Sequence, residues 1–465
     1  MEYLPDSNID RPDPVADVPT PASAKRGKKW LWGLLAVGVV IAAGLGSLAY
    51  FAGDQLYPAL KTAAQTFSTI NHTPVSNKIS FIGNDGDVWL VAPDGKNPEQ
   101  ITDNKRGYRF PTWSPDGRYL AFVGPNQKSD TALYVTPTKN PAPKIIFDNP
   151  DSAPFYLYWS PDNQSITFLT QEQSGMAMRL ADVLAGNSRI MAEGAPFYWV
   201  WSPKGDKLLM HVGGSRAMSE QAHLSIIENQ WESSRVELNL APGGFQAPDW
   251  SADGNHFYYV AEDETGQQAM YRTHAETLEQ TRLTDLSGYT YMVLSPDEKN
   301  IAYLQIEPGD RPPFGTAYLA STDGSSPRRL TEQLVGSMYW SPDGSKLALL
   351  TIGQRGQGAT AKAGGLAAPL PQDIVFRWLI YDMENDTLEI LTSFSPTTHF
   401  LQTVPYFDQY HRSLTFWSPD SRYFVITKAE QSESSRQGTA WVLDTTGQAE
   451  PVQVGRGTLA VWSWQ

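Results

Sequence analysis

The chain has 465 residues, of which 41% are hydrophobic and 18% charged, and its formal net charge at pH 7 is -14. This is the composition of a globular protein long enough to bury an extensive core, and the surplus of acids argues against binding along a nucleic-acid phosphate backbone. Cysteine is absent, which excludes disulfide bonds, thiolate metal sites and cysteine nucleophiles.

The N-terminal region predicts a cytoplasmic tail followed by a membrane anchor. Residues 1–29 are rich in proline and show no apolar periodicity, which is typical of a disordered tail. The 22 residues from Trp30 to Phe51 carry no charge, so we predict a single transmembrane helix over residues 30–52. The basic cluster at residues 25–29 predicts that the N-terminus is cytoplasmic and that the rest of the chain is extracytoplasmic.

A cleaved signal peptide is the alternative interpretation of this apolar segment. The long region that precedes the segment, and the length of the segment itself, argue against cleavage. Gly38, Ala42 and Gly46 form a small-xxx-small stripe through which two such helices could pair as a homodimer, although glycine and alanine are common in any spanning helix. Residues 53–77 are predicted to form a juxtamembrane helix and a linker.

A repeated turn motif dominates the remainder of the chain. Trp-Ser-Pro-Asp-Gly at residues 113–117 suits a type I turn between an apolar strand and an alternating one. Related copies are separated by 42 to 49 residues, apart from one spacing of 77. Short strands in repeats of this length predict the blades of a β-propeller. The further copies begin at Trp159, Trp201, Trp250, Leu294, Trp340, Trp417 and, truncated, Trp462.

The two ends of the repeat region predict how the ring closes. We call the apolar strand that leads into the motif tryptophan the Trp strand. The first unit, which starts at Lys78, has no Trp strand before it, whereas residues 459–464 form a Trp strand with no blade after it. The C-terminal strand should therefore complete the first blade and leave no exposed strand edge. We predict an all-β fold over residues 78–465, an eight-bladed propeller preceded by the single transmembrane helix.

The repeats resemble those of the TolB-type propellers, relatives of the WD-repeat class. The resemblance rests on Trp-Ser-Pro-Asp-Gly, on the strand that follows it, and on segments such as residues 94–102 and 323–331. It covers residues 78–465. Similar repeats occur in binding proteins and in the propeller halves of prolyl-oligopeptidase-like peptidases. This sequence departs from both, because residues 53–77 are too short for the N-terminal domain of TolB and no hydrolase domain follows the propeller. The resemblance therefore implies the fold and no catalytic activity.

Residues with catalytic or metal-binding chemistry are sparse. The seven histidines lack metal-ligand spacing, and the Ser215 region lacks the second glycine of a nucleophile elbow. Residues 84–87, Asn-Asp-Gly-Asp, could hold calcium but more readily form a tight turn. The aspartate of the motif recurs in six of seven full copies, which favours a structural role. We predict no cofactor, no metal and no enzymatic activity.

The long spacing points to a binding face. The 77 residues between Trp340 and Trp417 contain two insertions, residues 353–372 and 395–412. Both are in loops that should lie on one face of the propeller, where long loops often bind ligands. Aromatic residues before the Trp strands should surround the channel on that face, or else pack blade against blade. The predicted ligand-binding residues are Tyr108, Phe155, Phe197, Phe245, Tyr289, Tyr406, Phe407, Tyr410, His411 and Arg412.

These features predict a membrane-anchored, extracytoplasmic binding or scaffold module. Its partner would be a protein, a peptide or a glycan on the face that carries the insertions, and not a nucleic acid. The first alternative is a transmembrane sensor that relays ligand binding to cytoplasmic partners. The second alternative is a hydrolase whose site is assembled in the propeller channel.

Overall fold

The computed structural model describes residues 77–465 except 129, 174, 195–196, 217, 228–234, 245, 308–311, 355–373 and 431–435. The predicted tail, the predicted transmembrane helix over 30–52 and all but the last residue of the 53–77 linker lie outside the described residues. Among the described residues, no helix has both the length and the apolar character needed to cross a bilayer.

Eight antiparallel sheets follow one another along the chain, each built as a propeller blade. The first four are blade 1, with β1 (Ile79–Gly83), β2 (Val88–Val91) and β3 (Glu99–Gln100); blade 2, with β4 (Arg109–Trp113), β5 (Tyr119–Pro125), β6 (Thr131–Pro137) and β7 (Lys144–Asp148); blade 3, with β8 (Ala153–Trp159), β9 (Ser165–Glu172), β10 (Gly175–Asp182) and β11 (Ser188–Gly194); and blade 4, with β12 (Phe197–Trp201), β13 (Leu208–Val212), β14 (His223–Ile227) and β15 (Arg235–Glu237).

The second half repeats the pattern. It comprises blade 5, with β16 (Ala241–Pro242), β17 (Asp249–Trp250), β18 (His256–Glu262), β19 (Gln268–His274) and β20 (Gln280–Asp285); blade 6, with β21 (Tyr289–Leu294), β22 (Asn300–Ile306), β23 (Thr316–Ser321) and β24 (Arg328–Arg329); blade 7, with β25 (Val335–Trp340), β26 (Lys346–Gln354), β27 (Ile374–Asp382) and β28 (Thr387–Phe394); blade 8, with β29 (Tyr423–Ala429), β30 (Gly438–Asp444) and β31 (Val452–Gly455); and finally β32 (Gly457–Trp462). Between blades 7 and 8 lie helix α1 (Thr398–Leu401), a 3-10 helix (Val404–Tyr406) and helix α2 (Phe407–Tyr410).

The turn motif is held by its own serine and aspartate side chains. Ser114 Oγ donates to Asp116 Oδ1 at 2.8 Å and accepts the backbone N–H of Tyr119 at 2.9 Å, which fixes the turn and starts the next strand. The same serine–aspartate bond recurs in the other copies that have an aspartate at this position. The interpretation of this aspartate as structural is therefore confirmed.

Replacing one of these aspartates should cost stability without touching the channel. Asp253 accepts bonds from Ser251 Oγ at 2.6 Å and from the N–H of Asn255 at 2.8 Å, so we expect Asp253→Ala to lower the free energy of unfolding by about 1–2 kcal/mol. Lys204 occupies the same motif position and is the matched control, for which Lys204→Ala should change little. Urea denaturation measures both variants, and equal effects would contradict the role given to the aspartate.

The motif tryptophan joins neighbouring blades. The indole Nε1 of Trp159, Trp340 and Trp417 donates to a backbone carbonyl of the preceding blade's innermost strand, at 3.0–3.2 Å. The Trp strands of neighbouring blades also lie side by side, as β4 does with β8 and β21 with β25. The strands of a propeller that contact each other around the ring are the innermost strand of each blade. The Trp strands are therefore the innermost strands and line the central channel.

The C-terminal strand closes the ring, as predicted. β32 is the innermost strand of blade 1 and pairs antiparallel with β1, where Ile79 lies opposite Trp462. The backbone N–H of Asn77 donates to the carbonyl of Gln465, and the Gln465 side chain donates to the carbonyl of Pro115 in the first motif turn. Both ends of the described propeller therefore lie on the face that carries the motif turns, which we call the turn face. The opposite face, which carries the blade-7 insertions, we call the insertion face.

Candidate functional site

The insertion after β28 turns into the propeller. Its first part, helix α1, buries Phe400 against Trp378 and Phe416, with ring centroids 6.0 and 5.9 Å apart. The Thr397 hydroxyl caps α1 and also donates to the carbonyl of Thr458 in the closing strand. This part of the insertion is therefore anchored in the core between blades 7 and 8. The other predicted insertion, residues 353–372, lies almost entirely outside the described residues.

The second part of the insertion, residues 404–412, occupies the central channel; we call it the plug. Helix α2 of the plug lies against β12, β21 and β25, which are innermost strands of blades 4, 6 and 7. The Tyr410 ring centroid is 5.8 Å from that of Phe110 in blade 2 and 5.0 Å from that of Tyr156 in blade 3. The Phe407 ring centroid lies 5.5 Å from that of Tyr291 in blade 6. A segment that contacts so many blades around a ring must lie on its axis.

Gln409 binds the edge of an innermost strand through its side-chain amide. Its Oε1 accepts the N–H of Trp199 at 2.8 Å, and its Nε2 donates to the Trp199 carbonyl at 2.8 Å. The same Nε2 is 3.1 Å from the hydroxyl of Tyr156. An innermost strand has no further strand on its channel side, so its backbone groups need partners there. The plug supplies them for β12.

Asp408 is the buried acid of the plug. Its side chain is fully buried, and Oδ2 accepts the backbone N–H of Ala247 in blade 5 at 2.6 Å. Among the described residues, Oδ1 has no hydrogen-bond partner. Burial raises the pKa of Asp408 to about 7, because the charged form loses its hydration and the N–H bonds only partly replace it.

An ion pair fixes the C-terminal end of the plug. The Arg412 guanidinium donates to Asp249, a buried residue of β17 whose carboxylate also accepts the N–H groups of Trp250 at 2.8 Å and of Leu294 at 3.1 Å. His411 Nε2 lies 3.9 Å from Asp249 Oδ2, and burial lowers the pKa of His411 to about 4. The His411 imidazole is therefore neutral at physiological pH, and Arg412, Asp249 and His411 together carry no net charge.

The predicted ligand-binding residues separate into buried, partly buried and exposed side chains. Tyr108, Phe197, Phe407 and Tyr410 are buried, so their rings contribute packing. Tyr108 packs edge-on to the rings of blade 2 and not against the plug. His411 and Arg412 are partly buried beside Asp249, and Phe245 lies outside the described residues. The side chains that remain exposed are Phe155 at 37%, Tyr289 at 42% and Tyr406 at 50%.

The aromatic residues of the blades that contact the plug share one position relative to the turn motif. Tyr156 and Tyr291 each precede their motif serine by four residues, as does Phe110. Of the predicted residues before the Trp strands, Phe155 and Phe197 lie five positions before the serine, whereas Tyr108, Phe245 and Tyr289 lie six positions before it. Because side chains alternate along a strand, a shift of one residue exchanges its two faces, and a shift of two moves the side chain further along the same face. Counting four residues back from the serine selects the plug contacts from the other aromatic residues.

The candidate calcium segment forms a tight turn. Gly86 has a φ of 85°, its N–H donates to the carbonyl of Gly83, and Asp85 accepts the N–H of Asp87 at 3.0 Å. Asp87 is itself buried and accepts the hydroxyl of Thr102 at 2.9 Å. Among the described residues, no group of three or more potential ligands is placed to hold a metal ion.

The fold and the plug define the class of protein: an eight-bladed β-propeller whose channel is occupied by its own insertion. No family model matches the chain. Dipeptidyl-peptidase 5 of Porphyromonas gingivalis is 22% identical over 279 aligned residues, in a match that covers 57% of this chain and 40% of that protein. The uncharacterised protein YidR of Escherichia coli is 27% identical over 127 aligned residues, in a match that covers 24% of this chain and 30% of that protein. The chain thus spans less than half the length of these curated relatives.

Solved structures extend the comparison to most of the propeller. TolB of Acinetobacter baumannii is 17% identical, with coverage of 81% of this chain and 78% of that one and a TM-score of 0.39. A putative TolB of Agrobacterium tumefaciens is 22% identical and covers 57% of this chain and 94% of that one, with a TM-score of 0.36. The dihydro-heme d1 dehydrogenase NirN is 13% identical, at 85% and 77% coverage and a TM-score of 0.51. The predicted eight-bladed propeller fold is confirmed by the eight sheets of the structure itself.

Proposed function

We propose that the protein is a membrane-anchored, extracytoplasmic binding module, whose insertion face takes a protein, peptide or glycan partner. The observation that carries the proposal is the exposure of Phe155, Tyr289 and Tyr406 on that face of a rigid ring. Aromatic side chains provide large contact areas at a low cost in side-chain entropy, and they are enriched in interfaces.

The plug also favours a binding role over a hydrolase in the channel. A sensor would need a signal to cross the predicted anchor, which truncation of residues 1–29 tests. A hydrolase in the channel would need its acids accessible to substrate, whereas Asp408 and Asp249 are both buried. We therefore retain the hydrolase only as a hypothesis, which a screen with peptide and ester substrates on the natural chain and on Asp408→Asn tests.

Exposed aromatic residues should decide binding, and the chain offers a matched control. We expect replacement of Phe155, Tyr289 and Tyr406 by serine to weaken binding to ligands selected from peptide libraries and glycan arrays by at least tenfold. Ile145, Ile190 and Ile390, on outer strands, are 37%, 42% and 43% exposed. Their replacement by serine should leave binding unchanged. An equal loss in both triple variants, or in neither, would contradict the proposal.

The predicted topology has its own test. Tags are placed at residue 1 and after Gln465, and intact cells or spheroplasts are treated with protease. We expect the C-terminal tag to be removed and the N-terminal tag to survive on a membrane-bound fragment. Protection of the C-terminal tag would show that the predicted topology is inverted, and the partners would then be cytoplasmic.

A further inference from the structure

The plug lies in the channel without belonging to a sheet. Residues 404–412 form a 3-10 helix, the short helix α2 and the two residues after it, and they are held by side-chain contacts with the innermost strands. The part that precedes them, helix α1, is anchored separately through Phe400 and Thr397. The plug could thus leave the channel while the blades on either side stay folded.

One polar group of the plug fits the channel poorly. The fully buried Asp408 accepts the backbone N–H of Ala247 on Oδ2, and Oδ1 has no hydrogen-bond partner among the described residues. Hydrogen-bond donors are expected for every buried carboxylate oxygen, and an unpartnered one is costly when it carries charge. Protonation reduces that cost, because the acid then carries no charge.

The buried tyrosines that face Asp408 have raised pKa values. Tyr198 of β12, Tyr291 of β21 and Tyr339 of β25 surround it, with Tyr406 of the 3-10 helix close by, and burial raises the pKa of the first three above the ordinary tyrosine value. From β17 the only charged residue nearby, Asp249, is paired with Arg412. On the plug itself, His411 is neutral above a pH of about 4. Asp408 is therefore the group that changes charge.

We propose that the plug is a proton-controlled closure of the channel, seated while Asp408 carries a proton and released more often once Asp408 is ionised. The proposal rests on the proposed function in one respect: release would change the surface that the insertion face offers to a partner, since the exposed Tyr406 belongs to the plug.

The sign and size follow from linkage between protonation and seating. Burial raises the pKa of Asp408 to about 7 in the seated plug, whereas the released plug returns the carboxyl to water and to its usual value of 3.8. The seated form therefore binds the proton more tightly, and seating is favoured fully below pH 3.8 and weakens as the pH rises through about 7. The ratio of released to seated plug should increase about a hundredfold between pH 5 and pH 8.

Thiol labelling of the full chain tests the proposal, because the natural chain has no cysteine. Ser413, the first residue after the plug, is buried and donates to the carbonyl of Tyr410 in the plug at 3.2 Å; Ser413→Cys therefore reports release. Ser80 is equally buried in blade 1, so Ser80→Cys is the matched control for opening of the ring. Each labelling rate is divided by that of a short cysteine peptide at the same pH.

We expect the normalised rate at position 413 to rise about a hundredfold from pH 5 to pH 8, and the rate at position 80 to stay constant. Adding Asp408→Asn, which keeps an acceptor for Ala247, should abolish the rise. A rate at 413 that is independent of pH, or a rise that persists with Asp408→Asn, would overturn the proposal. Hydrogen exchange of residues 404–412 in the natural chain repeats the comparison without a cysteine. Neither measurement uses a partner, so failure here leaves the proposed binding function to its own test.

Discussion

Trp462→Ala is expected to lower the free energy of unfolding by about 3–5 kcal/mol, one of the largest effects of any single substitution in this chain. Trp462 is fully buried in the closing strand, and its Nε1 donates to Asn77 Oδ1 at 2.8 Å. Its backbone N–H donates to the carbonyl of Thr415 in blade 8 at 2.8 Å. The substitution therefore leaves a large cavity at the point where the first and last blades meet.

Trp464 provides the matched control, since it lies two residues further on and is only partly buried. Trp464→Ala should cost about 1 kcal/mol or less. Denaturant unfolding followed by far-ultraviolet circular dichroism measures both variants. If the two tryptophans proved equally costly, the special role of the closing strand would be wrong.

Arg412→Met is expected to destabilise the propeller by about 3–5 kcal/mol, because it leaves the Asp249 carboxylate buried without its cation. The two backbone N–H groups that Asp249 accepts, those of Trp250 and Leu294, remain but cannot neutralise the charge. The loss should appear in denaturant unfolding of the full chain.

A double-mutant cycle separates this effect from lost packing. Adding Asp249→Asn to Arg412→Met removes the unpaired charge and should restore part of the stability, with a coupling of about 1–3 kcal/mol. The control is Arg456→Met, which breaks the exposed pair with Glu430 and should cost less than about 1 kcal/mol. Strict additivity in the cycle would show that the charge of Asp249 does not matter.

The number of blades and the manner of closure could be predicted because each depends on local, repeated chemistry. Ser-Pro-Asp-Gly fixes a turn by itself, and each motif tryptophan needs only the neighbouring blade. Eight copies of one unit then identify the architecture, and an incomplete first unit requires the last strand to complete it.

The occupied channel could not be predicted in the same way. Residues 395–412 have no repeat, and their position depends on bonds such as that of Gln409 with Trp199, 210 residues away along the chain. Loop composition indicated an exposed binding loop, but the loop folds inward because Phe407 and Tyr410 bury their rings among the tyrosines of the innermost strands. Of the predicted residues in this loop, Tyr406 keeps half of its surface exposed.

The late position of the closing strand also constrains how the protein is made. Lys78 and Ser463, which bond to each other in the folded ring, are 385 residues apart. During synthesis β1 must wait with an unpaired edge until β32 emerges, while blades 2 to 7 can already form from contiguous sequence. Ring closure therefore requires the last strand, and until it is made the nascent chain presents an unpaired strand edge that could pair with another chain.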